Sequence, residues 1–104
     1  MTDLNVEVER AADGAFVRLD GDLDKVSAPE FGRCLATLEQ EGFVRIVIDA
    51  GGLAFCDSSG LWVLVEHQRA LNQRGGSLRL TGVHGVLLRV LDVTGLKPLF
   101  PSQI

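Results

Sequence analysis

The sequence predicts an α/β fold: a single domain spanning residues 1–104, with a mixed β-sheet of four to five strands and connecting helices packed on it. Three observations carry that reading. Segments such as Val44-Arg45-Ile46-Val47-Ile48-Asp49 are β-branched and short, as buried strands are. They are separated by stretches in which apolar residues recur every three or four positions, as Phe31, Leu35 and Leu38 do. The resulting order, β-β-α-β-α-β-α, opens with a hairpin and continues with strands joined through helices, which requires a mixed sheet.

The elements follow in chain order. Residues from about Asn5 to Glu9 alternate, with Val6 and Val8 on one side, and predict a half-buried strand. Ala12-Asp13-Gly14 reads as a turn, and Ala15 to Leu19 as the second strand of a hairpin. Asp20-Gly21-Asp22-Leu23-Asp24 reads as the break that ends it. Ser27, Pro29 and Glu30 then predict a helix start, with Ser27 as N-cap, Pro29 in the first turn and Ser27-x-x-Glu30 as a capping box. Gly42 marks that helix's end. Val44 to Asp49 is apolar enough to lie centrally in a sheet.

A second helix is expected from about Ser58 to Gln73, stopped by Gly75-Gly76. Its core face uses Leu61, Leu64, Val65 and Leu71. Leu78 to Thr81 is a short strand, and Val86 to Leu91 lies in a third helix ended near Thr94-Gly95. Leu99-Phe100 reads as either a last short strand or a packed tail.

Composition narrows the function. With 104 residues the chain suits one domain, and 46% hydrophobic residues supply a core. Net charge is −4, and the ten basic residues are scattered, which argues against nucleic-acid binding. The N-terminal residues lack the basic and apolar regions of a signal peptide, and no apolar run approaches the ~20 residues of a membrane span. Cys34 and Cys56 form no Cys-x-x-Cys or metal-like pair and read as small buried hydrophobes. The expectation is a cytoplasmic protein without membrane insertion, metal or cofactor.

The most informative segment runs from Ile46 to Leu61. A β-branched run gives way to a loop, and Asp57-Ser58-Ser59-Gly60 then opens the second helix. A helix N-terminus presents free N–H groups and favours negative charge. Both Asp57 and Ser58 are suitable N-cap residues, and a cap alone would account for them. The same position would also tolerate a phosphoserine, which carries about −1.5 to −2 charge. Placed beside Asp57, it would change the surface a partner meets while leaving the fold intact. Trp62 lies four residues after Ser58 and shares its face with Glu66 and Arg69, so it is either an interface anchor or semi-buried cover.

Other chemistry finds little support. Gly51-Gly52 lacks the frame of a nucleotide-binding loop, and Asp22, Asp24 and Asp57 lack EF-hand spacing. His67 and His84 read as surface or structural residues. A hydrolase built on Ser58 would need a G-x-S-x-G elbow that is absent, so the chain is expected not to be an enzyme.

Gly21-Asp22-Leu23-Asp24, Phe55-Cys56-Asp57-Ser58-Ser59-Gly60-Leu61 and Thr94-Gly95-Leu96 together resemble the STAS domain of bacterial anti-sigma-factor antagonists, in order and over nearly the whole chain. The resemblance implies a partner-switching regulator of transcription. The unphosphorylated antagonist binds an anti-sigma factor that is also a serine kinase, which frees the sigma factor. The kinase phosphorylates the serine after the motif aspartate, here Ser58, and a PP2C-type phosphatase reverses the change. Asp57, Ser59 and Gly60 would flank the phosphoacceptor, and Asp22, Leu23 and Asp24 would border the same partner-binding surface. Trp62 stands where the family commonly has a small residue, and so bears on which partner docks. A second reading keeps the fold without the switch: a cytosolic STAS subunit scaffolding a transporter complex.

Overall fold

Every second residue of the predicted strands is apolar, and in the computed structural model, which describes residues 3–100, those residues all turn to one side. β1 (Asn5–Ala11) and β2 (Gly14–Leu23) form an antiparallel hairpin, while β3 (Arg45–Cys56) and β4 (Ser77–Thr81) extend it in parallel. The sheet order is β1-β2-β3-β4. This is the mixed sheet the chain order required.

Three α-helices accompany the sheet among the described residues: α1 (Ala28–Gln40), α2 (Ser58–Gln73) and α3 (Gly85–Thr94). α1 packs on α2, α2 on β4, and α3 on β3. Ala15, Val17 and Leu19 of β2, Ile46 and Ile48 of β3, and Leu78 and Leu80 of β4 join Phe31, Leu35, Leu64 and Leu71 of the helices in one core. Fully burying each large aliphatic side chain contributes roughly 1.5–3 kcal/mol. The alternate residues on the same strands, including Phe16, Arg18, Asp49 and Arg79, remain exposed on the other face.

Three expectations need correction. Residues 20–24 do not end β2; the strand continues to Leu23 beside β3, with register shifts between Arg18 and Asp20 and between Gly21 and Asp22. The break signal therefore marks irregular pairing rather than termination. β3 likewise does not stop at Asp49. It continues through Gly51-Gly52 to Cys56, and Leu53, Phe55 and Cys56 pair with Gly21, Asp22 and Leu23. Glycine is needed there for space, because a Cβ on Gly52 would lie 1.9 Å from Asp20 Oδ1 and 2.7 Å from the Leu19 carbonyl.

The third correction concerns the start of α1. Ser27 is the N-cap by position, but its side chain caps nothing and no capping box forms with Glu30. Its hydroxyl donates to the Asp22 carbonyl (2.8 Å) and accepts from the Asp24 N–H (3.0 Å). Asp24 Oδ1 accepts from the N–H groups of Val26 and Ser27, each at 3.0 Å, and so folds the turn that enters the helix. At the other end of the chain, Lys97–Leu99 is a short 3₁₀ turn and Phe100 is fully buried. The tail is packed and forms no strand.

Candidate functional site

Extension of β2 and β3 side by side carries two loops to the same edge of the sheet. The Asp57 N–H donates to the Leu23 carbonyl at 3.1 Å, which fixes the start of α2 against the end of β2. Asp57 is extended and is the N-cap. Its Oδ1 accepts from the N–H groups of Ser59 (2.9 Å) and Gly60 (3.2 Å). Its Oδ2 accepts from the Lys25 N–H at 3.2 Å, in the turn that leads into α1. One carboxylate thus satisfies exposed donors of the helix and holds a neighbouring turn.

This assignment corrects the role of Ser58 within the cap. Ser58 is the first residue of α2, exposed, and its hydroxyl bonds to no described residue. Aspartate takes the capping position, so the serine contributes nothing to it. The hydroxyl is left at a helix N-terminus with solvent access and no competing partner among the described residues.

The other predicted residues separate into two groups. Asp22, Asp24, Asp57 and Ser59 are half-buried around the site, and Trp62 is 52% exposed one turn along α2, with Glu66 and Arg69 exposed on the same side. Semi-buried cover is therefore not what Trp62 provides. Leu23 and Gly60 are buried and cannot present side chains to a partner. They pack against each other instead, since a Cβ on Gly60 would lie 2.4 Å from Leu23 Cγ and 2.8 Å from the Leu23 carbonyl. Their part is to let α2 approach β2 closely enough for Asp57 to reach both loops.

Two exposed apolar residues at the site escaped the sequence reading. Phe55, two positions before Asp57, is 42% exposed, and Val26, in the turn held by Asp57, is 72% exposed. Phe55 stands within the motif but reads as loop, because Gly51-Gly52 conceals the continuation of β3 that exposes it. Val26 becomes relevant only because Lys25 is bonded across to Asp57. Hydrogen bonds from the Ser27 N–H, and after it the Val26 N–H, hold the Asp24 carboxyl below its usual range.

The remaining reactive groups are engaged elsewhere. His67 Nδ1 pairs with Glu39 across the α1–α2 seam, and His84 Nε2 contacts the Gly51 carbonyl at 3.0 Å. Neither imidazole bonds to Ser58 as a hydrolytic base would. The His67–Glu39 pair, 28 residues apart, left no local trace in the sequence. Burial, and then the Asp57 charge, push the Cys56 thiol up to about 12, which leaves it protonated and unreactive at neutral pH. Among the described residues no group of His, Cys, Asp and Glu could hold a metal, and no helix is long and apolar enough to cross a membrane.

A domain of this topology, with an aspartate-capped helix presenting a serine beside a tied loop, has close counterparts. The chain belongs to the STAS domain family, whose model matches residues 5–103. It is 34% identical over 96 residues to the anti-sigma-B factor antagonist of Staphylococcus epidermidis, covering 92% of this chain and 89% of that protein. In structure it is similar to an anti-sigma factor antagonist from Mycobacterium paratuberculosis, with a TM-score of 0.85 and 23% identity over 95% of this chain and 84% of that one. It is also similar to the Bacillus cell fate determinant SpoIIAA in the phosphorylated form, with a TM-score of 0.78 and 22% identity over 96% and 91% of the two chains. These two structural likenesses establish the fold.

Proposed function

We propose that residues 1–104 act as one STAS domain and that the chain is an anti-sigma-factor antagonist switched by phosphorylation at Ser58. The exposed Ser58 hydroxyl, relieved of capping by Asp57 and bonded to no described residue, carries the assignment. The 34% identity to a protein named for this role supports it. In the unmodified state the chain binds an anti-sigma factor that is also a serine kinase, and a sigma factor is released. Phosphorylation ends the complex, and a PP2C-type phosphatase restores it. The chain works in the cytoplasm as a binding module without catalytic residues or cofactor.

The physical basis is local. A phosphoryl group on Ser58 adds about −1.5 to −2 charge where Asp22, Asp24 and Asp57 already cluster. The helix N-terminus offsets part of that charge, so α2 remains folded. A partner seated on Val26, Phe55 and Trp62 would then have to desolvate the phosphate, which opposes docking. Asp22, Asp24, Asp57, Ser59 and Trp62 form the partner-facing set, while Leu23 and Gly60 shape it from below.

Kinase, ATP and peptide mass spectrometry test the acceptor: one phosphate is expected, on Ser58. Pull-down tests the switch. Ser58→Ala should retain the anti-sigma factor after treatment with kinase, and Ser58→Asp should lose most of it. Phosphate on another residue with Ser58 untouched would refute the assignment. Equal capture by both variants, together with co-purification of a transporter, would instead favour a scaffolding subunit.

A further inference from the structure

Among the described residues no helix covers the sheet face that carries Phe16, Arg18, Asp49 and Arg79, and this face is a second surface, distinct from the Ser58 site. One hollow on it has a volume of 570 Å³ and is lined by residues of all four strands. Register orders the face into two rows. One runs Glu7, Arg18, Asp49, Thr81 from β1 to β4, and the other runs Glu9, Phe16, Val47, Arg79. The second row is acidic at the β1 edge, apolar in the centre and basic at the β4 edge.

We infer that this face associates with a second copy of the chain, sheet against sheet, about a two-fold axis parallel to the strands. Such an axis sets β1 over β4 of the partner and β2 over β3. Each row then meets its own reverse: Arg18 faces Asp49, Glu9 faces Arg79, and Phe16 faces Val47, each pair occurring twice. No like charges oppose one another in these rows. An axis across the strands would set β1 over β1, place Glu7 against Glu9 and press Arg18 onto Phe16. Charge therefore selects one of the two face-to-face arrangements.

The exposure of the residues agrees with this use. Phe16 is 41% exposed in the middle of the face, and Arg18 and Asp20 form only an exposed pair at 3.3 Å. An exposed pair holds its partners weakly, so Arg18 is free to turn to Asp49 of the second copy. Aligned packing of two twisted sheets is an ordinary geometry. The area is small: four strands about 4.8 Å apart and about five residues long give a footprint of roughly 300 Å². Stable dimers cover about 800 Å² per partner, so the association is weak and concentration-dependent. Because the axis preserves strand direction, both Ser58 residues emerge at the same end of the dimer. This inference does not depend on Ser58 being phosphorylated.

Sedimentation equilibrium at low salt, from about 10 μM to about 1 mM, tests it in the range suited to so small an interface. Rising mass from monomer towards dimer is expected. Arg79→Glu and Glu9→Arg should each weaken association by about tenfold or more, and the double reversal should restore it. Both substituted positions are exposed, and circular dichroism checks that each variant is folded. A monomer throughout the range, a dimer indifferent to either reversal, or failure of the double variant to recover would overturn the proposal.

Discussion

The starts of α1 and α2 use the same residue types to opposite ends. Each has an aspartate shortly before it and a serine at its start, Ser27 just ahead of α1 and Ser58 as the first residue of α2. At α1 the Ser27 hydroxyl is occupied by the Asp22 carbonyl and the Asp24 N–H, and Asp24 organises the turn. At α2, Asp57 does the capping alone and the Ser58 hydroxyl bonds to no described residue. The two serines thus differ in their separation from the aspartate that organises each helix start. Ser27 follows its aspartate by three residues and folds back into the turn, whereas Ser58 follows by one and points away.

Substitutions can break this contrast. The largest effect is expected at the third helical position, which is Gly60 in α2 and the exposed Glu30 in α1. Gly60→Ala forces a Cβ onto Leu23 and should cost about 3 kcal/mol in urea unfolding, against nearly nothing for Glu30→Ala. Asp57→Ala leaves the N–H groups of Ser59, Gly60 and Lys25 without their acceptor and should cost about 2 kcal/mol. Hydrogen exchange at Lys25 should rise in the same variant, which links the two loops.

The serines should then differ. Ser27→Ala removes a part-buried hydroxyl with partners and should cost about 1 kcal/mol, whereas Ser58→Ala should stay within about 0.5 kcal/mol of the parent. Equal losses would mean that Ser58 does cap. The smallest effect concerns acid. Asp24 has a folded-state pKa below its usual 3.8, so its contribution is fully present above that value and fades as pH falls through the lower folded value. Exchange rates of the Val26 and Ser27 amides should rise over that window, and Asp24→Asn should remove the dependence.

The sequence disclosed element order, the limits of α2 and the helix face that Trp62 shares with Ser58, because each rests on period and composition, while the exposure of Trp62 came from the structure. It did not disclose the continuations of β2 and β3. Asp20 to Asp24 and Gly51-Gly52 carry every mark of loops, and only the close pass of Gly52 over Asp20 explains glycine within a paired strand. The choice between Asp57 and Ser58 as cap was equally hidden, since both residue types serve and the deciding hydrogen bonds include one from Lys25, 32 residues away. Leu23 was grouped with its acidic neighbours by motif, yet the alternation of a strand turns it inward.

Trp62 has a spectroscopic consequence. The chain has one tryptophan and no tyrosine, so its near-ultraviolet emission arises from a single indole. That indole is 52% exposed, one helical turn from Ser58. A partner that covers it removes water from the ring and shifts its emission to shorter wavelength, while an event on the bare sheet face leaves it unchanged. The molecule therefore carries its own optical probe for the surface around Ser58, without a label.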